Sequence, residues 1–463
     1  MARVRGGGLS ERLDPALLWR RFEELTAIPR PSRREHAAAE HVRAWARSLD
    51  HRSETDAYGN VVVRVPATPG REQAPSVVLQ AHLDMVCERA PGSGLDPAAG
   101  RIRLVEHDGW VVADETTLGA DDGIGVAAML ALGEQPAGPH GPLELLFTLA
   151  EEVGLEGALE LDPALVSGRL LLNLDGTDAG ALIIGCAGST TTQLTLSAQR
   201  QDAGAGSAFD VALHGGRGGH SGLDVTAGRS NAIADLACVL DEAARELPLR
   251  LVTLAGGHSR NAIPREASAH VLVPARDGPG LRERLASAFA PIANALRATD
   301  GALALAVEPA DAPAQAFTAA STRALLAALQ ALPCGVLEVS AAAPGLVEAS
   351  SSIGIAESTG ETVLVTCLTR AGSDRAAQRA VGAIRSVATL AGGDFEEVAS
   401  YPAWPADAGT PAVLAARAAY RLLFSAEPAL AGVHMGLECA AFRARLPGVS
   451  MVSFGPTIEG AHA

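Results

Sequence analysis

VVLQAHLDMV (77–86), TTLGADDGIGVAAMLAL (116–132), LLFTLAEEVGLEGA (145–158) and RLLLNLDG (169–176) carry the decisive pattern of this chain. Each is an apolar strand or helix whose end delivers an imidazole or carboxylates: His82 and Asp84, Asp121 and Asp122, Glu151 and Glu152, and Asp175. A buried carboxylate is costly unless it is paired, hydrogen-bonded or bound to a metal. A cation at the carboxyl edge of a sheet satisfies all of these groups at once. The pattern points to metal-dependent hydrolysis.

Working outward, strands alternating with helices predict an α/β fold with a mixed, mostly parallel sheet. Residues 61–65 read as an alternating or edge strand, and 76–86 as a buried central one. Residues 143–149 and 169–174 read as further buried strands. Upstream, residues 15–49 form two amphipathic helices broken at Pro29–Ser32. From about Cys186 the strands show exposed faces, and GGRGGHSG (215–222) reads as a flexible loop. The order of elements there suggests two related halves, although no sequence repeat is visible. Residues 186–400 are therefore expected to be an inserted α+β lid domain. YPAWP (401–405) marks the return, so 1–185 and 401–463 together make the catalytic domain.

Composition narrows the chemistry. With 463 residues, 48% hydrophobic and 19% charged, the chain is expected to fold into core-rich domains. A net charge of −16 argues against nucleic acid and anionic membrane surfaces as partners. The sequence contains no lysine, which removes Schiff-base, pyridoxal-phosphate and P-loop lysine chemistry, and together with the absent Gly-rich phosphate loop disfavours a phosphoryl-transfer or nucleotide enzyme. Six scattered cysteines without a CxxC pair fit reduced thiols and a cytoplasmic location. Neither a signal peptide nor an apolar run of the ~20 residues a membrane span needs is expected.

Period-two spacing in HxD sends His82 and Asp84 off one face of a strand end. His82 can then ligate a metal while Asp84 fixes the imidazole; the alternative is a satisfied core histidine beside a surface acid. Asp121 lies in a Gly-flanked turn opening a helix, and either it or Asp122 could simply be the N-cap. Glu151 and Glu152, placed at the end of an apolar strand, would point to opposite faces. One could bind metal and the other serve as general base, or both could be solvated loop acids. Asp175 repeats the arrangement, with an ordinary turn acid as its alternative.

In this order the segments HLD, TTLGADDG, AEEVGLEGA, NLDG, GGHSG, NAIPRE, HMGLEC and SFGPTIEGAH resemble the aminoacyl-histidine dipeptidases. These Xaa-His or carnosine-hydrolysing enzymes belong to the di-zinc metallopeptidase group that also holds aminoacylases and glutamate carboxypeptidases. The resemblance implies His82 and Asp175 on one Zn2+, Glu152 and His462 on the other, Asp121 bridging them and Asp84 orienting His82. It further implies Glu151 as general base of a di-zinc-bound hydroxide, with Mn2+ or Co2+ as substitute metals. His220 would stabilise the oxyanion, Asn261 and Arg265 would clamp a substrate carboxylate, and Glu438 would meet a free α-amino group. Dipeptides are the expected substrates, and the lid domain could supply His220 in cis or, through a homodimer, in trans. The alternatives are an N-acyl-amino-acid amidohydrolase, a broad-specificity dipeptidase or a catalytically impaired homologue. Two departures stand out. The family continues past its terminal His into a helical tail, whereas this sequence ends at Ala463, so a weak or incomplete second metal site is expected. Ser352, in ASSSIG (349–354), stands where the family pattern has an Asn.

Overall fold

The structure is a computed structural model and describes residues 8–340 and 345–461, so His462 lies outside the described residues. The chain forms two compact units, Met1–Cys186 with Trp404–Ala463, and Ala187–Ala403. The first unit opens with α1 (Ala16–Thr26), α2 (His36–Ser48), β1 (Arg52–Thr55), β2 (Val61–Val65) and β3 (Val77–His82). It continues through the hairpin β4 (Leu104–His107) and β5 (Trp110–Ala113), then α3 (Ala120–Glu134), β6 (Leu143–Thr148), α4 (Glu156–Glu160), β7 (Leu170–Asn173) and β8 (Ala181–Cys186). The second unit begins with β9 (Gly188–Ser197), β10 (Arg200–Asp202), β11 (Ser207–His214), β12 (Gly219–His220), α5 (Ala232–Glu246) and β13 (Arg250–Gly256). Next come β14 (Ala262–Ile263), β15 (Ala267–Val273), α6 (Gly278–Ala295), β16 (Ala304–Ala310), β17 (Gln315–Phe317) and α7 (Ala319–Ala331). It ends with β18 (Gly335–Val339), β19 (Val347–Thr359), β20 (Thr362–Ala371), α8 (Asp374–Leu390) and β21 (Asp394–Tyr401). Back in the first unit follow α9 (Pro411–Phe424), β22 (Ala429–Val433), α10 (Glu438–Arg445) and β23 (Ser450–Ser453). No helix of the described residues is long and apolar enough to cross a membrane.

The first unit is built on an eight-stranded mixed sheet in the order β1-β2-β6-β3-β7-β23-β8-β22. Pairing is parallel from β6 through β3 and β7 to β23, and antiparallel at β1-β2, β2-β6 and β23-β8. Alternation along β3 sorts its chemistry. Leu79 and Ala81, with Leu83 just beyond, pack into the core formed with α1, α2 and α3, alongside Leu25, Val42, Trp45, Val126 and Leu130. Gln80 and His82 leave the opposite face. The register pairs His82 with Thr148 and Gln80 with Asn173, so β3, β6 and β7 end at one edge. Everything that follows those three ends is delivered to the same place.

In the second unit, a nine-stranded sheet runs β16-β11-β15-β13-β19-β20-β9-β21, with β18 paired to β19. Helices α5, α6, α7 and α8 share one apolar core with it, including Leu213, Ile233, Leu285, Phe317, Leu329, Ile353, Val365 and Ile384. Element order repeats within this unit. β11, α5, β13, β15, α6 and β16 form one strand–helix–strand–strand–helix–strand set, and β9, α7, β19, β20, α8 and β21 form a second that encloses it in sequence. The sheet reads through the first set and then through the second in reverse, so β13 and β19 meet at the junction, Ala255 opposite Glu357 and Gly256 opposite Ala356.

Candidate active site

Four of the expected ligands converge at the shared edge of the first unit's sheet. His82 is fully buried, with Nε2 2.9 Å from Asp121 Oδ1 and 3.9 Å from Asp175 Oδ1. His82, Asp121 and Glu152 each present a ligand atom, all within 4.8 Å of one another. Asp121 reaches the site from a turn that precedes the regular part of α3. Gly119 there adopts φ +70°, and Asp121 and Asp122 keep non-helical angles. Asp122 turns its Oδ1 to the Gly125 amide at 3.2 Å and so caps the helix.

Asp84, fully buried, shapes two of these positions at once. Its Oδ1 faces His82 Nδ1 across 3.3 Å and accepts from the Glu151 amide at 3.0 Å. Its Oδ2 accepts from the Glu152 amide at 3.2 Å and from Ser32 Oγ at 2.7 Å. The glutamate pair itself is not on a strand. β6 ends at Thr148, and both glutamates lie in the turn that follows, after Ala150 at φ +53°. Strand alternation therefore does not set their directions; the turn and the Asp84 carboxylate do.

Burial and mutual charge make the cluster unstable as bare carboxylates. Burial, with repulsion from Asp121, pushes the Asp175 carboxyl well above its ordinary range; the neighbouring His82 only partly offsets this. Glu151 is pushed up in the same way by burial and by Glu152, Glu438 and Asp121. Burial alone would pull the His82 imidazole down, but its bonds to Asp121 and Asp84 carry it well above normal. A divalent cation among these groups would remove the repulsion and replace the proton on His82. One imidazole nitrogen with several carboxylate oxygens is a donor set that suits such an ion. The residues fit a metal.

Glu438 opens α10 and is fully buried. Its Oε2 accepts from Gln80 Nε2 at 2.5 Å and Thr148 Oγ1 at 2.8 Å, and Asn173 Nδ2 donates to Gln80 Oε1 at 2.7 Å. Glu438 Oε1 has no hydrogen-bond partner among the described residues, and burial lifts the carboxyl to about 7. Sequence reasoning did not find Gln80, Thr148 or Asn173. The signal was the single polar residue two places before His82 in an otherwise apolar strand.

The second unit gathers its own candidates. β12 and β14 pair with His220 opposite Ala262, which brings GGHSG and NAIPRE side by side; Asn261 and Arg265 are exposed there. The half-buried His220 ring accepts at Nδ1 from the Leu223 amide at 3.1 Å, and its Nε2 lies 3.2 Å from Arg370 Nη2. Arg370, buried on β20, was not singled out from sequence. Ser352 sits buried within β19, where Asn231 Nδ2 donates to its Oγ at 3.3 Å.

Known proteins share this architecture. The profile of Peptidase family M28 matches residues 60–221, and that of the Peptidase dimerisation domain residues 211–298. The cytosol non-specific dipeptidase of Escherichia coli (strain K12) is 37% identical over 453 residues, covering 98% of this chain and 93% of the relative. The crystal structure of aminoacylhistidine dipeptidase from Vibrio alginolyticus superposes with a TM-score of 0.82 at 37% identity, covering 98% of this chain and 93% of that one. A tripeptidase from Staphylococcus aureus shares the fold, with a TM-score of 0.53 at 17% identity over 96% of this chain and 91% of its own. The chain belongs to the metallopeptidase family that includes the cytosol non-specific and aminoacylhistidine dipeptidases.

Proposed function

We propose that this protein is a cytoplasmic dipeptidase that holds two Zn2+ ions and cleaves Xaa-His and related dipeptides. The observation that carries the reading is the convergence of His82, Asp121, Glu152 and Asp175, with Glu152, His82 and Asp121 ligand atoms within 4.8 Å of one another. His82 and Asp175 would hold one ion, Glu152 and His462 the other, and Asp121 both. When bound, such ions polarise a carbonyl and lower the pKa of water. Glu151, in the turn beside Glu152, takes the proton of the attacking water and passes it to the leaving amine. Asp84 keeps the imidazole of His82 aimed. Glu438 offers its unpaired Oε1 to the ammonium of the substrate.

The same reading gives His220 the developing oxyanion and Asn261 with Arg265 the substrate carboxylate. Support comes from within the second unit, where these residues flank one β-pair and the Arg370 guanidinium lies beside His220. The relatives named as dipeptidases favour this substrate class over N-acyl amino acids. The test is turnover of carnosine and other Xaa-His dipeptides against N-acetyl amino acids, with zinc content measured in parallel. Dipeptide hydrolysis that chelation abolishes and Zn2+ restores is expected. Chelator-insensitive turnover, or preference for N-acetyl amino acids, would refute it.

A further inference from the structure

The loop between α1 and α2 contributes three side chains to the walls of the site without contributing any to its centre. Arg30 is fully buried and donates through Nη1 to the carbonyls of Leu83 (3.1 Å) and Asp84 (3.0 Å), and through Nη2 to that of Gly119 (2.5 Å). It thereby ties the segment after β3 to the turn that presents Asp121. A Cβ on Gly119 would come within 2.4 Å of the guanidinium, and one on Gly123 within 2.7 Å, so both glycines make room for it. Ser32 Oγ donates to Asp84 Oδ2. Glu35 is buried at the start of α2, yet its side chain makes no cap to its own helix. Its Oε1 accepts instead from the amide of Ala150 at 3.0 Å.

Three successive amides, of Ala150, Glu151 and Glu152, are thus each held by a carboxylate, the first by Glu35 and the next two by Asp84. Ala150 is in the left-handed region, which an L-residue adopts only when its surroundings impose it. We propose that Arg30, Ser32 and Glu35 are positioning residues: together they set the spacing of the β3 end, the Asp121 turn and the Glu151–Glu152 turn, and so the affinity of the site for its metal. The proposal rests on the metal reading above. It assigns no chemistry to the three residues.

Zn2+ titration of metal-depleted protein, followed calorimetrically, tests this beside thermal unfolding of the same metal-free samples. Ser32→Ala and Glu35→Ala are expected to weaken Zn2+ binding about 10- to 100-fold, the range seen when groups behind metal ligands are removed. Glu35→Gln keeps an acceptor oxygen and should recover most of that loss. Arg30→Lys keeps the charge but cannot span three carbonyls, and should weaken binding as well. Trp45→Phe, in the core of the same unit, serves as the control: it should lower thermal stability and leave Zn2+ affinity unchanged. Wild-type affinity in Ser32→Ala and Glu35→Ala, or an equal loss in Trp45→Phe, overturns the positioning role alone. Wild-type protein that takes up no Zn2+ overturns the metal reading, and this proposal falls with it.

Discussion

Asp84 and Glu151 meet at one turn, and in the proposed mechanism the first holds while the second reacts. Asp84 has its oxygens committed to His82, Ser32 and two main-chain amides, and those bonds keep its carboxyl below the ordinary range even though burial pushes it up. Glu151 owes only its amide to that arrangement. Glu151→Gln should therefore lower kcat by roughly 10²–10⁴-fold, the usual contribution of a general base, while zinc stoichiometry stays at the wild-type value; unchanged turnover removes Glu151 from the mechanism. Asp175 supports a second prediction, made for the metal-free protein. Its carboxyl is raised in the folded state by burial and by Asp121, above an unfolded value of about 3.9. A raised carboxyl favours folding at acid pH and is lost as a stabiliser as pH rises through the folded-state value, because the charge must then sit buried. Metal-free Asp175→Asn should melt a few degrees (~2–4 °C per kcal/mol) above metal-free wild type at pH 8, and the gap should close toward pH 4. Equal melting at pH 8 would count against the raised carboxyl.

At the scale of elements, the segments that became β3, β6 and β7 were legible because each is a short, near-continuous apolar run of the kind a buried strand presents. The ends that carry His82 and Asp175 followed from the same reading. Glu151 and Glu152 were read onto the strand because nothing local marks where pairing stops; the turn is set by Asp84 and Glu35, 67 and 115 residues away in sequence. β19 escaped notice for a related reason. VEASSSIGIAEST is small and hydroxyl-rich, yet Ser350, Ser351 and Ser352 are buried in the middle of a sheet. Their environment comes from neighbouring strands and from α5, not from their own hydropathy. Asn231 makes that link: its Oδ1 caps α5 through the Ala234 amide, and its Nδ2 donates to Ile353 O at 2.9 Å and to Ser352. Asn231→Ala removes a cap and leaves a buried carbonyl short of a donor, so a loss of roughly 1–3 kcal/mol is expected in denaturant unfolding. Asn231→Asp keeps the cap and should fall between; a neutral Asn231→Ala would show that α5 and β19 are held by apolar packing alone.

For the whole molecule, all the metal ligands proposed among the described residues belong to one unit. His82, Asp121, Glu152 and Asp175 lie within Met1–Cys186, while Ala187–Ala403 closes a sheet and four helices around an apolar core of its own. The chain passes between the units only twice, after Cys186 and before Trp404. A ligand that binds one folded unit stabilises that unit by RT ln(1 + [L]/Kd), about 2.7 kcal/mol at a hundredfold excess over Kd. Zinc should therefore act on one half of the unfolding profile. Calorimetric scans of the intact protein are expected to show two transitions, of which chelation lowers one and leaves the other in place. Residues 187–403 expressed alone should give the second transition, at a temperature indifferent to Zn2+ or chelator. A single transition in the intact protein that shifts as a whole with zinc would mean that the two cores unfold as one cooperative body, and a zinc-dependent melt of 187–403 would mean that this unit carries ligands of its own.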